Sequence, residues 1–371
     1  MIIKLLVNTD YLLIMEIANE LKTVKWGKDE YNGWVLLGSP ENTKVSHLDI
    51  SSNKIKGSLV LTNLPNLQEL NCSHNQITVI EGLELPKLQH LNCSSNKITT
   101  IEGLELPNLQ QLSCSKNQIT EIERLKLPNL QTLYCSRNQI TEIEGLELPN
   151  LQTLYCSRNQ ITEIEGLNLS NLQILYCSEN QITTIEGLQL PKLQILQCSF
   201  NQITEIEGLE LLNLQDLDCS SNQITKIEGL DLPNLQVLNC SHNQITEIEK
   251  LELPKLQVLY CNNNQITTIE GFDLLNLQEL DCSSNQIMEI EGLELPNLQI
   301  IDCDNNQITT LAFMLPNNLR NLWYHDNPVE YIAPNIQRFL NRSKTSQGVY
   351  NDSQNVHNHH VQECVRKSIA R

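Results

Sequence analysis

Thiols are the most reactive groups in this chain, and their spacing decides which chemistry they can do. Twelve of the thirteen cysteines recur at an unbroken interval of 21 residues, from Cys72 through Cys135 and Cys219 to Cys303, and each is followed three positions later by an asparagine. A disulfide framework belongs to small secreted domains, and thiols carried on adjacent parallel strands would stand nearly a strand spacing apart, whereas a disulfide wants about 3.8 Å between Cβ atoms. Structural zinc sites use closely spaced pairs such as C-x-x-C, and none occurs. The twelve therefore read as small buried hydrophobes of a large core, and so many free thiols imply a reducing compartment. The thirteenth, Cys364, stands four residues after His360 in HNHHVQECVRKSIAR. Two ligands are too few for a metal centre, and a nucleophile needs a base and a supporting shell that the sequence does not identify. The segment reads instead as the histidine-rich start of an amphipathic helix with Val361, Val365 and Ile369 on one face. Neither metal, cofactor nor catalytic residue is expected.

The periodicity belongs to the whole chain, not only to its thiols. Residues 130–150 read LQTLYCSRNQITEIEGLELPN, and residues 151–171 repeat them except at Glu147/Asn168 and Pro149/Ser170. Within a unit, Leu133 and Cys135 are two apart, as the inward side chains of a short strand must be, leaving Thr132, Tyr134 and Ser136 outward. Leu130, Ile140, Ile143, Leu146 and Leu148 turn inward from the rest of the coil; burying one such side chain is worth roughly 1.5–3 kcal/mol. One coil alone has little to bury them against, so stability must come from stacking neighbours. Gly145 and Pro149 punctuate a return too short for a long helix.

The unit L-x-x-L-x-C-x-x-N-x-I with the tail I-E-G-L-x-L-P-N resembles a leucine-rich repeat, and is similar to the 22-residue class with one residue fewer before the proline. The resemblance covers residues 45–327 in about fourteen units. It implies an α/β repeat solenoid: a rod or shallow horseshoe with a parallel sheet on its concave face and short irregular convex returns, roughly 65–70 Å long at about 4.8 Å per strand. The asparagines, Asn138 and its equivalents from Asn75 to Asn327, would then form a ladder, each amide donating to and accepting from backbone groups of adjacent turns.

Residues 1–44 are expected to cap the first coil. Thr9 or Asp10 can start a helix over residues 9–24, with Leu13, Ile17 and Leu21 on one face and a strand at 31–37 behind it. Residues 328–342 make the opposite cap: Pro328 interrupts the repeat, and PNIQRFLNR at 334–342 reads as a helix with proline at its start. Residues 343–371 comprise a polar linker and the final amphipathic helix. Together with PNIQRFLNR, the stretch GVYNDSQNVHNHHVQECVRKSIAR resembles the C-terminal region of leucine-rich repeat proteins of giant DNA viruses that infect amoebae, which implies a viral product acting in host cytoplasm.

The net charge of −19 argues against non-specific nucleic-acid binding, which requires a basic footprint. Much of it comes from one glutamate per coil on the return, in a column from Glu81 through Glu144 and Glu165 to Glu291. Two carboxylates about 5 Å apart in water repel by only about 0.8 kcal/mol before screening, so the column is tolerable as a solvated face; a weak divalent-cation stripe is the other reading. Residues 1–7 are apolar, but Asn8, Thr9 and Asp10 interrupt them before a signal sequence is complete, and no apolar run approaches the length of a membrane span.

With units so alike, function must lie in what varies on the concave face. The residue after the second leucine runs Asn71, Asn92, Ser113, Tyr134, Tyr155, Tyr176, Gln197, Asp218. The three tyrosines, with Arg137 and Arg158 beside them and Ile174, Ile195 and Phe200 beyond, form an outward aromatic and apolar patch of the types that dominate interface hot spots; common descent of duplicated units is the plainer alternative. Charge is graded as well, from Lys97, Lys116, Arg137 and Arg158 towards Asp216, Asp218, Glu279, Asp281, Asp302 and Asp304, which would orient a bipolar partner. The expected function is a non-enzymatic scaffold binding a protein, with no nucleic acid or membrane as partner. The alternatives are the target-selecting part of an effector or enzyme whose catalytic domain lies elsewhere, and a structural, self-assembling protein.

Overall fold

A computed structural model describes residues 2–4, 25–28, 34–37 and, apart from residues 62–63, 81–82, 124, 249–250, 270–273 and 291–294, residues 45–346. Each coil contributes one three-residue strand, such as Thr132–Tyr134, Thr153–Tyr155 and Ile174–Tyr176. These pair in parallel and without slip, so that Leu133 sits opposite Leu154 and Tyr134 opposite Tyr155. From His47–Asp49 to Asn321–Trp323 they build one sheet of 15 strands, counting Ile2–Lys4, which pairs in parallel with the first coil strand. From His47 onward the strands of this sheet stack in chain order, so that successive coils are spatial neighbours.

Strands are short because only one side chain in three is needed inside. The central leucine, or isoleucine at Ile301, is buried while the flanking residues are mostly partly exposed, and the leucines, isoleucines and cysteines of the coils form one continuous apolar core from Val45 to Leu340. All twelve repeat cysteines are free and buried. The Cys114 thiol donates to the Tyr134 carbonyl at 3.3 Å, and that of Cys135 to the Tyr155 carbonyl at 3.3 Å. Burial pushes the Cys93 and Cys177 thiols up to about 12, so these groups stay protonated and poorly nucleophilic.

The asparagine ladder has the geometry expected of it. Asn138 donates to the Cys114 carbonyl at 3.1 Å and the Cys135 carbonyl at 2.9 Å, while its oxygen accepts the Ile119 N–H at 3.1 Å. A second, exposed asparagine ladder runs along the returns, and the sequence reading missed it. Asn129 donates to the Pro107 carbonyl and Asn150 to the Pro128 carbonyl, both at 2.8 Å. Where lysine replaces the asparagine, Lys192 Nζ reaches back to Asn171 Oδ1 at 2.7 Å. The recurrent Pro-Asn pair was the available signal.

The ends differ from expectation. Lys25–Lys28 and Trp34–Leu37 form an antiparallel pair that joins Lys56–Leu61 and Gln76–Ile80 in a four-stranded sheet, whereas only the strand ending at 37 was foreseen. The helix expected over residues 9–24 lies outside the described residues. At the other end the one helix among the described residues is Pro334–Ser346; it runs past 342 into what read as linker. Ile336 and Leu340 are buried in the core, and Asn335 donates to the Phe313 carbonyl at 3.1 Å. The final amphipathic segment, with His360 and Cys364, also lies outside the described residues. No helix of the described residues is long and apolar enough to cross a membrane.

Candidate functional site

The strands carry the tyrosines at one register position on three successive coils. Strand spacing then fixes ring spacing: the Tyr134 and Tyr155 rings stack with centroids 4.7 Å apart and 13° between planes, and Tyr155 and Tyr176 at 4.6 Å and 18°. The rings form one continuous column, and faces that cover one another present their edges and hydroxyls outward. Each stacked pair adds about 0.5–1.5 kcal/mol beyond area burial. Burial raises the Tyr155 hydroxyl above its ordinary value and takes that of Tyr176 to about 12, with the neighbouring tyrosine adding to each shift. Ile174 and Ile195 lie opposite each other in register, half-buried, beside the stack.

Arg137, Arg158 and Phe200 occupy a different feature, the corner immediately after the strand. There each coil places a residue in the left-handed region, with φ of 59° at Arg137, 59° at Arg158 and 54° at Phe200. That conformation costs a non-glycine residue roughly 1–2 kcal/mol. It persists because its N–H is aimed along the solenoid: Arg137 N–H donates to the Ser157 carbonyl at 2.9 Å and Phe200 N–H to the Ser220 carbonyl at 3.1 Å. Phe200 is 62% exposed, so it belongs to the rim and not to the sheet face. Arg158 is held by Glu179, Nε to Oε1 at 2.6 Å, whereas Arg137 has no carboxylate partner among the described residues. Lys97 is off the sheet face as well; it falls just past the ladder residue Asn96, and its N–H donates to the Ile77 carbonyl.

The acidic end is a set of crowded carboxyls. Burial, then the nearby Asp218, pushes Asp216 up to about 6, although Gln197 Nε2 donates to its Oδ1 at 3.1 Å. Burial takes Asp302 to about 7, with Asp281 and Asp304 adding repulsion, against a 3.0 Å bond from the Asp304 N–H. Tyr260 donates to Glu279 Oε1 at 3.0 Å. At the opposite end lies a depression of about 390 Å³ that runs from His47 to Ser113. Glu69 Oε1 there stands 3.3 Å from His47 Nε2 and 3.6 Å from His90 Nδ1. Sequence reasoning passed over this depression; the run of small residues Asn71, Asn92 and Ser113 before Tyr134 was its signal.

A stacked array of parallel strands with an asparagine ladder and a variable sheet face defines a leucine-rich repeat solenoid. The family described as Leucine Rich repeats (2 copies) matches residues 65–106, 107–148, 149–190, 191–232, 233–274 and 275–316, and the chain belongs to it. No curated protein matches the chain. Among solved structures it is similar to the functional domain of InlJ from Listeria monocytogenes, which includes a cysteine ladder, at 28% identity and a TM-score of 0.62 over 76% of this chain and 68% of that one. It is also similar to the internalin inlF of the same organism (28%, TM-score 0.55, 73% and 90% covered) and to a leucine-rich repeat protein of Leptospira interrogans (27%, TM-score 0.56, 83% and 96% covered).

Proposed function

We propose that this chain is a non-enzymatic scaffold that binds a protein partner through its sheet face, with Tyr134, Tyr155 and Tyr176 at the centre, Ile174 and Ile195 as adjoining apolar surface, and Arg137, Arg158 and Phe200 on the rim. The observation that carries this reading is the three-ring stack left on the outside of a protein whose core is otherwise complete. The core closes without these rings, and tyrosine and arginine are over-represented where binding energy concentrates. The buried thiols suit a reducing compartment, and the resemblance of the C-terminal stretch to proteins of amoeba-infecting viruses extends the reading to a partner in host cytoplasm. Affinity purification from that cytoplasm followed by mass spectrometry tests it. A single stoichiometric host protein, bound at least about tenfold more weakly by Tyr155→Ala and unaffected by Glu144→Ala and Glu165→Ala, is the expected outcome; recovery of only this chain or of capsid points to a structural role instead.

A further inference from the structure

The tyrosine stack is closed at one end and open at the other. Beyond Tyr176 the column continues with Gln197, whose amide is engaged by Asp216. Before Tyr134 it continues with Ser113, directly opposite in register. Ser113 is also the last residue lining the depression that begins at His47. The step from a hydroxymethyl group to a phenol therefore leaves the Tyr134 ring without a stacking ring on its Ser113 side, one strand beyond the end of that depression. A planar side chain entering above Ser113 would lie about one strand spacing from Tyr134, the distance at which the rings already stack.

Charge selects what flanks such a ring. Lys116 lies three residues on in the coil of Ser113, Arg137 three residues after Tyr134, and neither has a carboxylate partner among the described residues. The carboxylate of Glu69 is two strands away and set between two imidazoles. Resting on the sheet-face reading above, we propose that the vacant position over Ser113 receives an aromatic side chain of the protein partner, from a segment whose adjacent carboxylates meet Lys116 and Arg137. The ring continues the stack by one member, and the acidic neighbours fix the direction of the segment across the rim.

The test uses a displayed random-peptide library selected on the full chain. Enriched peptides are expected to carry Phe, Tyr or Trp beside Asp or Glu. A synthetic copy of the leading peptide should bind at least about tenfold more weakly to Ser113→Tyr and to Arg137→Glu, and unchanged to Glu144→Ala. Ser113→Tyr extends a column that already holds tyrosine in the next three coils; Ser113→Leu fills the same space should that variant fold poorly. Failure to enrich any peptide, enrichment without aromatics or with basic residues, or binding indifferent to both filling variants overturns the proposal. Indifference to the filling variants combined with loss in Tyr155→Ala removes the slot and leaves the sheet-face reading standing. Indifference to all of them removes both.

Discussion

Asn180 satisfies three carbonyls and one N–H with a single side chain: it donates to Cys156, Cys177 and Ser178 at 3.2, 2.9 and 3.4 Å and accepts from Ile161 at 3.1 Å. Asn180→Ala leaves the Ile161 N–H unpaired and takes one of two donors from each carbonyl, which keep Asn159, Asn201 and the Arg158 N–H respectively, and is expected to lower stability by about 1–3 kcal/mol, whereas Gln181→Ala, exposed next door, changes little; urea midpoints of the two variants decide. Asp302 is a residue-scale liability of the opposite kind. Its folded value near 7 lies above that of an unfolded aspartate, so the unfolded chain releases the proton first, and the stability this group contributes is complete below about pH 4 and lost as pH rises towards 7. Asparagine occupies the same column at Asn71, Asn92 and Asn239 and accepts the same backbone N–H from two residues on. Asp302→Asn therefore keeps the bond and removes the charge. Its advantage over the parent should grow from pH 4 to pH 8 to on the order of 1–2 kcal/mol; parallel pH profiles for the two proteins would contradict this.

At the scale of the element, strand, return and ladder were legible because each follows from a period of 21 residues and an alternation of two, both visible in the letters. The left-handed corner was not. Its occupants are mixed: Asn263, Asn305 and Asp326 are types that favour this region, but Lys116, Arg137, Arg158, Glu179 and Phe200 carry no turn signal, because there the conformation is held by hydrogen bonds to the neighbouring coil and not by local preference. The same gap explains the site: the tyrosines could be read as outward, but the face-to-face stack follows from strand spacing acting on side chains, and the rim position of Phe200 follows from the corner. A substitution test separates imposed from preferred geometry. Phe200→Gly should hold or raise stability by up to about 1 kcal/mol, since relief of the corner outweighs the added freedom of the unfolded chain. Phe200→Val should lower it by a similar amount. A melting temperature that falls more for glycine than for valine would mean that the ring contributes packing at this position.

In the whole molecule each coil is stable only through its neighbours, so the twelve ladder thiols should be protected together. Titration of the folded protein with a thiol reagent is expected to find none of the twelve reacting quickly, and all of them once it is unfolded; disulfides between successive coils, seen by mass spectrometry, would contradict the separation the strands impose. What the sequence left unread at this scale is the ends, where the period stops: the edge strand Ile2–Lys4 pairs with His47–Asp49, and Trp34–Leu37, whose strand could be read, also joins the distant Lys56–Leu61, pairings that no local pattern names. Backbone, asparagine and thiol bonds between coils all run along one axis, so a pull on the two ends bears on them in series and must break the molecule one interface at a time. Each coil released exchanges about 4.8 Å of stacked height for about 70 Å of slack chain. Under load the solenoid would therefore give way in a run of nearly equal steps, with its repeat count setting the total extension.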